Sequence, residues 1–130
     1  MTSGTSESAE EKAHILVVDD DPTFGEAVCQ VLRGNGYGVT LATNFSPVLE
    51  ILDSGQPVDL LLIDIVMPDS VNGIALSRMA RLRRRGLKVI YLTGYDLPGI
   101  DHDPLGPILR KPVDNQVLIQ EIHRVLSVAS

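Results

Sequence analysis

Three apolar runs stand out along the chain: Ile15-Leu16-Val17-Val18, Leu60-Leu61-Leu62-Ile63 and Val89-Ile90-Tyr91-Leu92. Each is continuous rather than alternating, the pattern of strands covered on both faces, so a parallel sheet between helical layers is predicted. Val39-Thr40-Leu41-Ala42-Thr43 alternates, as an edge strand does, and Ile108-Leu109 is a short fifth run. Helix signals lie between the strands. Asp21-Pro22 offers an N-cap and a first-turn proline ahead of Phe24, Val28, Val31 and Leu32, and Ser46-Pro47 repeats the device before Val48, Ile51 and Leu52. Ala75, Met79 and Leu82 make a third stripe, and Asp114 caps a last helix with Leu118, Ile122, Val125 and Leu126 facing inward. Gly34-Asn35-Gly36 and Asp53-Ser54-Gly55 end the first two helices.

Between Leu92 and Ile108 the pattern breaks. Gly94, Pro98, Gly99, Pro104, Gly106 and Pro107 crowd the place of a further helix, where an interior proline costs about 3 kcal/mol and a glycine about 1. The expectation is at most a single short turn around Ile100–Pro104, with Tyr95–Pro107 the least ordered part of the folded domain. The whole reads as βα repeated five times with the fourth helix short or absent. That is an α/β, flavodoxin-like, doubly wound five-stranded parallel sheet of order 2-1-3-4-5, whose ligand crevice lies between strands one and three.

A length of 130 residues suits one domain. Residues 1–13 (MTSGTSESAEEKA) read as a disordered leader, and 14–128 as the folded domain. Aromatics are 4% with no Trp, so aliphatic side chains must fill the core. The net charge of −6 argues against a nucleic-acid or anionic-membrane binder but permits carboxylates gathered around a cation. Cys29 is the one cysteine, which excludes an internal disulfide, fits a reducing cytoplasm and reads as a packing residue. No run is long and apolar enough for a membrane span, and the leader has no apolar signal segment. His14, His102 and His123 lack metal spacing and read as surface. Arg81, Arg83, Arg84 and Arg85 read as a solvated helix end, with an acidic-partner surface as the alternative.

Asp19 and Asp20 follow the first strand and Asp64 the third, so all three fall at carboxyl ends beside the switch point. Like charges that close need a cation or must take up protons. With only oxygen ligands at hand, a hard ion such as Mg²⁺ fits best, and magnesium so held commonly binds phosphate as well. Thr93 ends the fourth strand with a hydroxyl, and Lys111 ends the fifth with a positive charge beside Pro112. A carboxylate nucleophile, a metal, a hydroxyl and an ammonium together suit phosphoryl transfer to Asp64.

The motifs Ile15-Leu16-Val17-Val18-Asp19-Asp20-Asp21-Pro22, Leu62-Ile63-Asp64-Ile65-Val66-Met67-Pro68, Thr93-Gly94 and Lys111-Pro112 occur in this order, each at a strand end. In this the chain resembles the response regulator receiver domains of two-component signalling over residues 14–128. The resemblance implies that Asp64 is the phosphoacceptor, Asp20 a direct metal ligand, Asp19 one acting through water, and Val66 a ligand through its backbone carbonyl. It further implies that Thr93 is the switch hydroxyl, that Lys111 pairs with the phosphoryl group, and that the Lys111–Pro112 bond is cis. The implied cofactor is Mg²⁺. The implied donor is a histidine kinase or histidine phosphotransfer protein, and an unidentified downstream protein receives the signal. Receivers usually carry Tyr or Phe three residues before the lysine, and here Ile108 stands there, so Tyr95 becomes the alternative relay. Thr93-Gly94-Tyr95 resembles a subgroup with that tripeptide and an atypical fourth helix, and the loop 68–73 resembles the longer one of receivers fused to hybrid kinases. The chain given has no room for an output domain, as either a stand-alone module or one cut from a larger protein would read. Two competing readings are a pseudo-receiver that only binds protein and a Mg²⁺-dependent phosphohydrolase with an Asp nucleophile. The second would need an acid two positions after Asp64, where Val66 stands.

Overall fold

In a computed structural model of the chain, the described residues are 12–67, 72–95 and 102–128. The order is β1 (His14–Val18), α1 (Pro22–Gly34), β2 (Gly38–Ala42), α2 (Phe45–Asp53), β3 (Leu60–Asp64), α3 (Gly73–Arg83), β4 (Lys88–Thr93), β5 (His102–Asp103), β6 (Gly106–Arg110) and α4 (Asn115–Ser127). The sheet runs β2-β1-β3-β4-β6-β5. Its first five strands are parallel and reproduce the predicted doubly wound order, with β6 in the fifth place.

The continuous apolar runs serve two cores at once. Leu16, Val18, Leu61, Ile63, Val89 and Tyr91 meet Val48 and Leu52 of α2 and Leu76 and Ala80 of α3. Alternate residues Ile15, Val17, Leu60, Leu62, Ile90 and Leu92 meet Val28, Cys29 and Leu32 of α1 and Leu118, Ile122 and Val125 of α4. Because successive strand side chains point to opposite faces, only an unbroken apolar run can fill both layers. Asp21 caps α1 by accepting from the amides of Thr23 and Phe24, and Asp114 caps α4 likewise from Gln116 and Val117. Gly36 and Gly55 turn the chain out of α1 and α2 at φ +92° and +86°, which glycine adopts without a Cβ penalty.

Several expectations need correction. Helix α2 begins at Phe45 after Asn44 rather than at the Ser46-Pro47 pair. Pro47 falls inside the first turn, where a helix has no use for its amide anyway. In α3 the stripe Ala75, Met79, Leu82 faces outward: Ala75 is exposed, Met79 half-buried, and Leu82 is 84% exposed. The buried face is Gly73, Leu76, Ser77 and Ala80. A close approach selects it: a Cβ on Gly73 would lie 2.1 Å from the Asp64 carbonyl oxygen, so this face must carry a glycine. Ser77 can be buried because its hydroxyl meets the buried Tyr91 hydroxyl at 2.6 Å.

The glycine- and proline-rich stretch forms a tight hairpin in its described part, with β5 antiparallel to β6, and the short turn allowed around Ile100–Pro104 falls partly outside the described residues. Residues 96–101 of the stretch, and 1–11 of the leader, lie outside the described residues. Lys12 and Ala13 are held: Lys12 donates to the Asn35 carbonyl, and the Gly38 amide to that of Ala13. The arginine patch is more than a solvated end. Arg81 donates to the Leu87 carbonyl, Arg84 to those of Leu52 and Gln56, and Arg83 pairs with Asp53, so the turn after α3 is stitched to the end of α2. His14 is half-buried and bonds Thr40, whereas His123 is exposed.

Candidate functional site

The crevice beside the switch point gathers the predicted carboxylates. Asp19 and Asp20 follow β1 and Asp64 ends β3, and one carboxylate oxygen from each lies within 4.8 Å of the others. Asp19 and Asp64 are buried while Asp20 reaches partly into solvent. The Lys111 ammonium, just past β6, bridges two of them, donating to Asp19 Oδ2 at 2.9 Å and to Asp64 Oδ2 at 3.2 Å. The remaining oxygens are tied to backbone: Asp19 Oδ1 accepts from the Asp21 amide at 2.9 Å and Asp64 Oδ1 from the Val66 amide at 3.3 Å.

One ammonium cannot neutralise this group. Burial pushes the Asp64 carboxyl above its ordinary range; Lys111 offsets part of that, and the Asp19 charge adds to it. Burial pulls Lys111 down, but hydrogen bonds and charge from Asp19 and Asp64 outweigh it and leave the ammonium held above its usual value. Both directions follow from burial set against a single cation that Asp19 and Asp64 share. A second positive charge is therefore favoured, and an all-oxygen donor set of this size suits a hard divalent cation.

The other predicted residues take distinct places. Thr93 is buried at the end of β4, and its hydroxyl accepts from the Tyr95 amide at 3.1 Å. Its carbonyl accepts from the Lys111 amide at 2.7 Å, which ties the two strand ends together. The Lys111–Pro112 bond is cis. Val66 is half-buried beside Asp64. Tyr95 is 59% exposed, and Ile108 stands opposite Tyr91 across the β4–β6 pair.

Two features escaped the sequence. The Phe24 ring lies under the Lys111 ammonium, 4.1 Å from ring centre to nitrogen. Away from the pocket, Tyr91 is fully buried and its hydroxyl donates to Asp103 Oδ2 at 3.0 Å, beside the Ser77 hydroxyl. Burial pushes the Tyr91 hydroxyl up to about 12. Asp103 also accepts from the Leu105 amide and pairs with Arg78, so β5 is bound to β4 and α3 through one carboxylate. Phe24 was legible only as a core position, and Tyr91 only as part of an apolar run.

Comparison with known proteins agrees with this geometry. Residues 15–123 match the family model described as response regulator receiver domain. The response regulator receiver protein CpdR of Brucella abortus is 34% identical over 88% of this chain and 98% of its own length. The CAI-1 autoinducer sensor kinase/phosphatase CqsS of Vibrio cholerae is 32% identical over 83% of this chain, which spans 16% of that protein. Among solved structures, a CheY-like receiver domain protein from Methanospirillum hungatei superposes with TM-score 0.76 at 30% identity, covering 89% of this chain and 94% of that one.

Proposed function

The chain belongs to the response regulator receiver family, and from that premise we propose that it takes a phosphoryl group from a phosphohistidine onto Asp64, with Mg²⁺, and changes conformation to regulate a partner protein. The observation that carries this reading is the Lys111 bridge across Asp19 and Asp64 inside a set of three carboxylates within 4.8 Å. Such a pocket holds anions that need a cation, and an ammonium that can turn from a carboxylate to an incoming anion once the cation is bound.

In the step itself an Asp64 oxygen attacks phosphorus, the phosphorus–nitrogen bond to imidazole breaks, and the bonding pair leaves with the histidine. The product is an acyl phosphate. Mg²⁺, held by Asp20, Asp64 and the Val66 carbonyl, with Asp19 acting through water, would offset the negative charge that otherwise repels a phosphoryl group. Lys111 would leave Asp64 for a phosphoryl oxygen, and the Thr93 hydroxyl would exchange the Tyr95 amide for another. That exchange frees Tyr95, the candidate relay where Ile108 replaces the usual aromatic residue. A histidine kinase or histidine phosphotransfer protein is the donor, and no catalytic turnover beyond self-catalysed transfer and hydrolysis is assigned. Among the described residues no helix is long and apolar enough to cross a membrane, and the cytoplasm, where Cys29 stays reduced, is the proposed location.

Incubation with acetyl phosphate and Mg²⁺ followed by intact-mass measurement tests the assignment. The parent gains one phosphate and Asp64→Asn gains none. A gain that persists in the variant would overturn it.

A further inference from the structure

The Lys111 ammonium has a third partner besides the two carboxylates, the face of Phe24 at 4.1 Å. The contact closes a ring of interactions. Asp19 Oδ1 accepts from the Asp21 amide at 2.9 Å, and Asp21 Oδ1 accepts from the Phe24 amide at 3.3 Å. The Phe24 ring then meets Lys111, which returns to Asp19 Oδ2 at 2.9 Å. The cap that starts α1 therefore also sets the height of the aromatic face over the site.

We propose that Phe24 is a positioning residue for Lys111, keeping the ammonium over the pocket when a divalent cation takes the carboxylate oxygens. The inference rests on the phosphoacceptor reading above. A cation on Asp20 and Asp64, with Asp19 holding one of its waters, competes for the oxygens that Lys111 now holds and repels its charge. The ring face is the one described partner that such an ion, which binds oxygen, does not compete for. Without it the long, flexible lysine side chain would leave for water, and each phosphorylation event would have to bring it back. A leucine would cover the lysine stem equally well, but only an aromatic ring offers a negative face to the charge.

The experiment compares the parent, Phe24→Leu and Phe24→Tyr. The Lys111 ε-methylene signals are followed by carbon-13 NMR with and without Mg²⁺, assigned by their loss in Lys111→Met. Labelling by acetyl phosphate, which needs no kinase docking, is timed by intact mass. A ring-current upfield shift should appear in the parent and in Phe24→Tyr, persist with Mg²⁺, and vanish in Phe24→Leu. Labelling should slow roughly 2- to 5-fold in Phe24→Leu, the rate equivalent of one exposed cation–π contact, and recover in Phe24→Tyr. Unshifted ε-methylene signals in Mg²⁺-loaded parent, or equal labelling in Phe24→Leu and parent, would overturn the proposal. An upfield shift in a parent that takes no phosphate would instead overturn the phosphoacceptor reading and leave the contact standing.

Discussion

Replacing Asp64 by Asn should make the metal-free protein more stable. Asp64 sits within 4.8 Å of both Asp19 and Asp20 and 3.2 Å from Lys111. At an effective dielectric of about 20, each carboxylate at that separation repels by roughly 3.5 kcal/mol and the ammonium attracts by roughly 5. The two repulsions exceed the one attraction by roughly 2 kcal/mol. Solvent around the half-open Asp20 reduces this figure and the burial of Asp64 enlarges it. Asparagine keeps its one oxygen for Lys111, gives up the long bond from the Val66 amide and loses the charge, so a gain of about 1–2 kcal/mol is expected, about 0.5–1 M in the midpoint of urea unfolding. The pH dependence fixes the cause. Burial, aided by Asp19 and only partly offset by Lys111, holds the folded Asp64 carboxyl above its unfolded value. The folded state then binds the extra proton, so the parent's penalty is full at neutral pH, shrinks as pH falls through the raised value, and is gone below about 4. Mg²⁺ at ten times its dissociation constant adds about 1.4 kcal/mol to the parent and should narrow the gap. An Asn variant no more stable than the parent at pH 7 without metal would refute the reasoning.

Three further outcomes are expected. Mg²⁺ titration by calorimetry should show Asp20→Ala losing more affinity than Asp19→Ala, since a direct ligand is lost in one and a water-mediated one in the other; equal losses would contradict that division. The acyl phosphate should be long-lived, because Val66 cannot orient an attacking water and Tyr95 is bulky, so Val66→Asn should speed loss of the phosphate mass. Tyr91→Phe should cost about 1–2 kcal/mol in urea unfolding, since it removes a buried donor from Asp103 and leaves Ser77 the Ile74 carbonyl as its one partner. Asp103 loses some carboxylate stabilisation to burial, but the Leu105 amide, Tyr91 and Arg78 outweigh it and hold it below the usual range. The difference between Tyr91→Phe and parent should therefore shrink as pH falls below about 4 and Asp103 takes up its proton.

The five parallel strands, their pairing and the convergence of Asp19, Asp20, Asp64 and Lys111 were legible in the sequence, as was the place of Thr93 at the end of β4. Continuous apolar runs admit few arrangements, and in a right-handed doubly wound sheet residues that follow strands share one edge whatever lies between them. The caps at Asp21 and Asp114 were legible because a cap is made within four residues of chain. Local information also explains the misjudged start of α2, where either Asn44 or Ser46 could precede a first-turn proline.

Tertiary structure decided the rest. On α3 the stripe Ala75, Met79, Leu82 had helical spacing, but the face turned inward was chosen by the close passage of Gly73 over Asp64 and by a hydroxyl partner for Ser77 on β4. The hairpin of β5 on β6 is tied to β4 through Asp103, which accepts from Tyr91, twelve residues away along the chain and adjacent in space. The sharing of Lys111 among Asp19, Asp64 and the face of Phe24 likewise joins the end of β6 to the ends of β1 and β3 and the start of α1. Periodicity reports which positions are apolar, but a contact between distant segments exists only once the sheet has set their separation, and charge, burial and ring geometry take their values from that separation.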